Sequence, residues 1–212
     1  MNLQPDAALV TSSWKYIKPG FDKVFALTAL ILLAPIFLLI AILIKRESSG
    51  PIFFRQPRFG EECKTITVMK FRTMYHTSAD IGGRQQTQRN DQRVTPLGAF
   101  LRRSSLDEIP QFWDVLCGRL SVVGPRPHPL EMEVEGVRAD ILITNYHARH
   151  AVRPGITGLA QVRGNCGPVE TLAMGEDRLA HDLEYINSMS FRQDITIILR
   201  TFGAVLLERK NY

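Results

Sequence analysis

Only three of the 212 residues are cysteine, and Cys63, Cys117 and Cys166 form no CxxC pair. An odd, scattered set excludes a disulfide framework and implies reduced thiols facing the cytoplasm. Long runs of like charge are also missing. The formal net charge of +5 is spread over dispersed arginines, which argues for several separate anionic contacts and against a nucleic-acid stripe, so no nucleic-acid partner is expected. The glycines of 152–167 lack the spacing of a P-loop or a dinucleotide fingerprint, and the segment reads as a packed loop. His147 and His150 stand at i, i+3 with no third ligand evident beside them, so they read as surface or packing histidines.

What the chain does have is one long apolar run. From Val24 to Ile44 there is no charge, and most positions are Val, Ile, Leu or Phe. At roughly −0.3 to −0.6 kcal/mol for each such residue, insertion into a membrane is favoured by several kcal/mol. The run is too long for a signal peptide and ends in Lys45-Arg46 without a small-residue cleavage pattern. Trp14, Lys15, Tyr16 and Lys18 precede it as interfacial anchors, and Lys45, Arg46, Arg55 and Arg58 follow it. Pro35 sits at the middle and predicts a kink or break. Each half is then about 15 Å long, roughly one leaflet. Basic residues at both ends suit a re-entrant hairpin with its flanks on one face, and a kinked spanning helix remains the alternative.

Beyond Gly50-Pro51, the β-prone runs 52–56 and 65–74 flank turn residues Pro57, Gly60, Glu61 and Glu62, which predicts a hairpin. Lys70 and Arg72 would share one strand face. Residues 75–95 bury little and read as a disordered segment or a functional lid. A helix is expected within 130–150. Another is expected over 176–187, with an Arg178–Asp182 pair at i, i+4. A final amphipathic helix follows Asp194 as N-cap, packed on the core with some interfacial contact. The resulting fold class is α+β and mainly helical. Residues 1–20 form a flexible or interfacial N-terminus, 21–46 a re-entrant membrane helix broken at Pro35, and 47–212 a helical cytoplasmic catalytic domain with a small β-hairpin.

The densest chemistry lies in 101–129. Arg102 and Arg103 precede the adjacent carboxylates Asp107-Glu108, an apolar helix follows, and Pro125, Pro127 and Pro129 stiffen a loop around Arg126. Ser105 to Glu108 fits a capping box, and on that reading both carboxylates merely favour a helix start, with Leu106, Ile109, Phe112, Trp113 and Leu116 as the buried face. The same geometry also suits catalysis. A helix N-terminus would lower a carboxylate pKa and hold an ionised nucleophile, with Arg102 and Arg103 as forked donors to phosphate. A second carboxylate beside the first calls for Mg²⁺ between them and an incoming phosphate.

Taken together, KFRTM at 70–74, TPLGAFLRRSSLDEIPQ at 95–111, LSVVGPRP at 120–127 and VRPGITGLAQVRG at 152–164 follow a proline-interrupted membrane segment. In that order they resemble the bacterial sugar transferases, monotopic polyprenyl-phosphate phosphoglycosyl transferases, from about Asp22 to Tyr212. The resemblance is to the short, exopolysaccharide-initiating form. It implies transfer of a sugar 1-phosphate, glucose or galactose, from a UDP-sugar to undecaprenyl phosphate, with release of UMP. It implies Asp107 as nucleophile and Glu108 as the Mg²⁺ ligand. Lys70, Arg72, Arg102, Pro125, Arg126 and Pro127 would serve substrate binding. It implies the bacterial inner membrane, a catalytic domain on the cytoplasmic face and a single-leaflet helix, and it leaves a homodimer open. Ala34, Asp114 and Arg163 depart from the family's usual residues, which bears on the helix break and on sugar preference. A non-catalytic scaffold of polysaccharide assembly and a membrane-attached phosphohydrolase stand as alternatives.

Overall fold

A computed structural model describes residues 13–78, 82–84, 86–88 and 91–207. The N-terminal twelve residues, expected to be mobile, lie outside the described residues. In chain order the elements are α1 (Trp14–Glu47), β1 (Phe53–Phe59), β2 (Thr65–Phe71), α2 (Pro96–Arg103), α3 (Gln111–Leu116), β3 (Ser121–Val123), β4 (Glu133–Val134), β5 (Val137–Arg138), α4 (Ala139–Leu142), β6 (Gly155–Thr157), α5 (Leu159–Val162), α6 (Leu172–Ser188) and α7 (Phe191–Leu207). Four short 3₁₀ turns cover Glu61–Cys63, His76–Ser78, Leu106–Glu108 and Tyr146–Ala151. The fold is mainly helical with a few small strands.

Helix α1 is longer than expected and starts earlier. It runs without interruption in its secondary structure through Pro19 and Pro35. Proline deletes one backbone donor, and the bonds of the neighbouring turns suffice to carry the helix past it. The two ends of α1 pack on the same body. Ala26 and Trp14 join the cluster of Val68, Val115, Leu120 and Val123, while Ile40 and Ile44 pack with Phe71, Leu101 and Ile109. Between them Leu27, Ile31, Leu32, Leu38 and Leu39 are exposed. Apolar side chains in that number are stable on a surface only against something apolar, and among the described residues α1 is the one helix long and apolar enough to cross a membrane.

Strands β1 and β2 form the expected hairpin, antiparallel with Phe54 opposite Lys70. β1 extends through Pro57 to Phe59, since each strand of a two-stranded ribbon is an edge and tolerates proline. β2 ends at Phe71, three residues short of the expected end. The helix expected over 130–150 is instead a hairpin, one helical turn and a 3₁₀ segment. Glu135 and Gly136 both have positive φ, 52° and 77°, the signature of a two-residue hairpin turn. Asn145, at φ 60°, starts the 3₁₀ segment.

β3 and β6 pair in parallel, joining the proline loop to the glycine-rich segment. Here glycine is required: a Cβ on Gly155 would lie 2.1 Å from the Gly124 nitrogen, and one on Gly158 2.3 Å from the Gly124 oxygen. Asp194, expected as an N-cap, lies inside α7 and is fully buried, and α7 presents Ile197 and Ile198 to the core while Leu199 and Phe202 stay exposed. Asp182 does not take its expected partner; its Oδ2 lies 2.6 Å from Arg149 Nη2. Within 75–95, residues 79–81, 85 and 89–90 lie outside the described residues, so the lid expectation falls partly there. The described remainder is strapped down: Tyr75 N donates to Arg93 O, and Gln86 bonds Glu133 O and both backbone groups of Val169.

Candidate active site

The carboxylate pair sits on a single 3₁₀ turn, Leu106–Glu108, between α2 and α3. The capping box does not form. Ser105 adopts a left-handed conformation, φ 55°, with no side-chain cap bond, and α3 begins only after Pro110. Proline at that point cannot continue a bond ladder from the turn, so the chain pivots and turns both acids into a cleft. Trp113, expected on the buried face, is exposed, and Asp114 and Val115 are buried in its place.

Strand β2 and the proline loop bring cations to the pair. Lys70 Nζ donates to Glu108 Oε1 at 2.6 Å and lies 3.9 Å from Asp107 Oδ2. Arg126 grips Glu108 with both terminal nitrogens, at 2.5 and 3.2 Å. Pro125 and Pro127 are buried on either side of it, so they fix the loop and leave the guanidinium turned outward. The loop is pinned by its carbonyls. Arg149 Nη2 donates to Arg126 O at 2.8 Å, Gly155 N to Pro125 O at 2.9 Å, and Arg58 Nη1 to Pro127 O at 2.5 Å. A misplacement of about 1 Å can cost ~100-fold in rate, which such pinning guards against.

This arrangement sets the two acids apart. Burial pushes Glu108 up, but Arg126 and Lys70 outweigh it and hold the carboxyl well below the ordinary glutamate range. Asp107 is raised, by burial first and by the Glu108 charge after Lys70 has partly offset it. The expected lowering of Asp107 by a helix dipole is therefore overturned: one 3₁₀ turn offers little dipole, and Glu108 takes the shorter contacts with the cations. Environments that push two acids apart also divide their roles.

Arg102 enters the cleft and donates from Nε to Thr73 Oγ1 at 2.8 Å, whereas Arg103 faces solvent and is no forked partner for it. Arg72 lines the wall but its guanidinium is committed elsewhere. It donates to Ser49 O at 2.5 Å, Ser48 O at 2.8 Å and Ile44 O at 3.3 Å, tying the C-terminal carbonyls of α1 to the hairpin. β2 ends at Phe71, so the two-residue spacing that would put Lys70 and Arg72 on one face no longer applies.

The cleft, about 440 Å³, is also lined by Arg58 and Arg178, which no local pattern marks as site residues. Burial and then the neighbouring Arg126 lower Arg58 to about 10, and burial and then Arg149 lower Arg178 to about 10. Crowded guanidiniums mark a place built to receive negative charge. The signal was present only as scattered arginines, since Arg58 and Arg178 lie 120 positions apart in the chain. Asp114 and Arg163 prove structural. Asp114 accepts from Met69 N at 2.8 Å, next to Lys70, and from Arg119, while Arg163 pairs with Glu184 on the surface.

The family model of bacterial sugar transferases matches residues 13–208. The exopolysaccharide production protein PSS of Rhizobium leguminosarum bv. phaseoli is 45% identical over 196 residues, covering 92% of this chain and 98% of that protein. The UDP-glucose:undecaprenyl-phosphate glucose-1-phosphate transferase of Escherichia coli (strain K12) is 46% identical over 198 residues. That match covers 93% of this chain but only 42% of the relative. The UDP-N-acetylgalactosamine-undecaprenyl-phosphate N-acetylgalactosaminephosphotransferase of Aeromonas hydrophila is 37% identical over 204 residues, 96% of this chain and 47% of its own length. The match spans the membrane helix, the carboxylate turn and the proline loop alike, and the chain belongs to the bacterial sugar transferase family.

Proposed function

We propose that this chain transfers a sugar 1-phosphate, most simply glucose 1-phosphate, from a UDP-sugar to undecaprenyl phosphate, releasing UMP and starting a surface polysaccharide. The observation that carries it is the division of labour in the carboxylate pair. Glu108 is ionised and held by Lys70 and Arg126, while Asp107 keeps a raised, more basic carboxyl beside the same cations. A Asp107 oxygen attacks the phosphorus that bears the sugar; the new O–P bond forms as the bridging P–O bond breaks, and UMP leaves with that electron pair. An oxygen of undecaprenyl phosphate then attacks the same phosphorus and releases the Asp107 carboxylate. Arg126, Lys70 and Arg102 stabilise the phosphate oxygens on which charge develops. The names of the E. coli and Aeromonas relatives share the lipid phosphate and differ in the sugar, which supports the acceptor more strongly than the donor.

The donor set also fits Mg²⁺. Two adjacent carboxylates are hard oxygen ligands, and Glu108 Oε2 has one 3.2 Å contact, which leaves lone-pair capacity. Glu108, with Asp107 beside it, would hold the ion, which when bound neutralises diphosphate charge. The direct test is UMP release from UDP-glucose and UDP-galactose by detergent-purified protein with undecaprenyl phosphate. Lipid-dependent release that stops on chelation of Mg²⁺ is expected. Release of free sugar phosphate without lipid would make the protein a hydrolase, and no release from any UDP-sugar would favour a scaffold.

Acidity supplies a second expectation. Asp107 must be ionised to attack, and its pKa is raised above the usual 3.8. Turnover should therefore fall with decreasing pH at a higher pH than an ordinary aspartate would impose. A pH profile of kcat/KM with its acid limb at or below the ordinary value would remove Asp107 from the role.

The membrane segment fits a re-entrant, single-leaflet placement at the cytoplasmic face of the inner membrane. Asp22 of α1 binds Ser121 Oγ and Val122 N at one end, and Arg72 holds Ile44 O at the other, so both flanks are fastened to one globular body. A straight crossing would separate flanks by ~30 Å of hydrocarbon. Cysteines introduced at Tyr16 and Ser49 should label from the same side in sealed vesicles; labelling from opposite sides would establish a spanning helix.

A further inference from the structure

The tip of the β1–β2 hairpin and the 3₁₀ segment Tyr146–Ala151 meet at three side chains outside the cleft. Cys63 Sγ lies 3.6 Å from His147 Nδ1 and 3.4 Å from His150 Nδ1. His147 and His150 are three apart on a helix of three residues per turn, so their rings rise on one face. Cys63 comes from 84 positions away, which is why a third ligand was invisible beside the histidines in sequence.

A thiol can donate to one imidazole nitrogen and accept only weakly from the other, so hydrogen bonding alone would hold these three distant groups together loosely. A shared cation holds all three. With zinc–sulfur near 2.3 Å and zinc–nitrogen near 2.0–2.1 Å, ligands of a tetrahedral site stand about 3.5 Å apart across the metal. Both measured separations agree with that value. All three ligand atoms lie within 4.8 Å of one another. Thiolate and imidazole select a borderline-soft ion, unlike the carboxylates of the cleft, which suit Mg²⁺.

We infer that Cys63, His147 and His150 form a Zn²⁺ site with a fourth position open to solvent. Cys63 and His147 are exposed, which gives the ion an entry path, and Phe59 stacks on His150 at 5.1 Å between ring centroids and fixes the buried side. The ion joins two parts that carry the cleft. The hairpin bears Lys70, and the 3₁₀ segment bears Arg149, which holds the carbonyl of Arg126. Zn²⁺ here fastens the cationic strand to the proline loop from outside.

The test uses full-length protein without a histidine tag, stripped with chelator in detergent and titrated with Co²⁺ as a spectroscopic probe, then with Zn²⁺. Tetrahedral Co²⁺ absorption with a thiolate charge-transfer band is expected at one ion per chain, with Zn²⁺ displacing it. Cys63→Ser should remove the charge-transfer band, and His147→Ala should weaken Zn²⁺ binding by about 10-fold or more. Both positions are exposed, so both variants should fold, and circular dichroism checks that they do. Absence of a tetrahedral spectrum in the wild type, or a charge-transfer band that survives Cys63→Ser, overturns the site. Unchanged affinity in His147→Ala overturns the three-ligand assignment.

Discussion

Asp107→Asn should lower UMP release at least ~1,000-fold while leaving the protein as stable as before or more so. The amide nearly matches the carboxylate in shape but is a poor nucleophile towards phosphorus, so no covalent adduct can form. The stability half follows from the sign of the shift. The folded-state pKa of Asp107 lies above its unfolded value, so protonation favours the native state below the unfolded pKa, and that contribution is lost as pH rises through the folded pKa. At neutral pH the buried charge is then a burden, and a neutral amide removes it. Lys70 is not orphaned, because its 2.6 Å partner is Glu108. Loss of activity with an equal or higher melting temperature is the signature of a residue kept for chemistry at the expense of stability. Near-wild-type turnover in Asp107→Asn would remove the covalent mechanism, and a large fall in melting temperature would make Asp107 structural. Labelled sugar phosphate retained on denatured wild-type protein, and not on the variant, would locate the intermediate.

The parts of this site that could be read from the chain are those whose neighbours in sequence are also neighbours in space. The apolar run, the hairpin and the chain Asp107-Glu108 announce themselves locally, and the spacing Pro125-Arg126-Pro127 states its own stiffness. Other features depend on partners that no local pattern contains. Arg72 looked like a substrate ligand beside Lys70, yet the end of β2 frees it to cap α1 from 23 to 28 positions away. Ser105 looked like a helix cap, and only the left-handed turn before Pro110 shows why it is not. In the chain Arg149 is simply a basic residue between His147 and His150. Its role arises because Arg126 O, His128, Tyr146 and Asp182 all converge on it, and His128 Nδ1 lies within bonding distance of both Arg149 and Tyr146 Oη. Buried polar centres of this kind are assembled by tertiary packing, so they are the last features that a one-dimensional reading recovers.

Asp194→Ala should be the most destabilising single change, costing about 3–5 kcal/mol, a large part of a domain's whole stability. Asp194 is fully buried and draws three elements together. It accepts from Trp14 Nε1 at 3.0 Å and Lys18 Nζ at 2.5 Å, both on α1, and from Tyr185 Oη at 2.8 Å on α6. Removing the carboxylate takes an acceptor from Trp14, Lys18 and Tyr185; Tyr185 Oη keeps Val123 O at 3.1 Å, but the Lys18 ammonium stays buried, with Asp22 at 3.6 Å as its remaining carboxylate. Asp22 is itself committed to Ser121 and Val122 on β3, the strand that leads into the proline loop. The damage should therefore travel from the N-terminal end of the membrane helix to Arg126 without touching any group in the cleft. Urea or thermal unfolding in detergent measures the loss, and UMP release should fall in parallel. The exposed pair Arg163–Glu184 provides the contrast: Glu184→Ala should cost at most about 1 kcal/mol. Pairing Lys18→Met with Asp194→Leu should recover part of what Asp194→Ala alone loses, because the Lys18–Asp194 pair is then removed whole, while Asp22 keeps its bonds from Ser121 and Val122. A cost under about 1 kcal/mol for Asp194→Ala, or no recovery in the double variant, would mean that water or lipid headgroups already satisfy Lys18 and that α1 is fastened mainly by its apolar contacts.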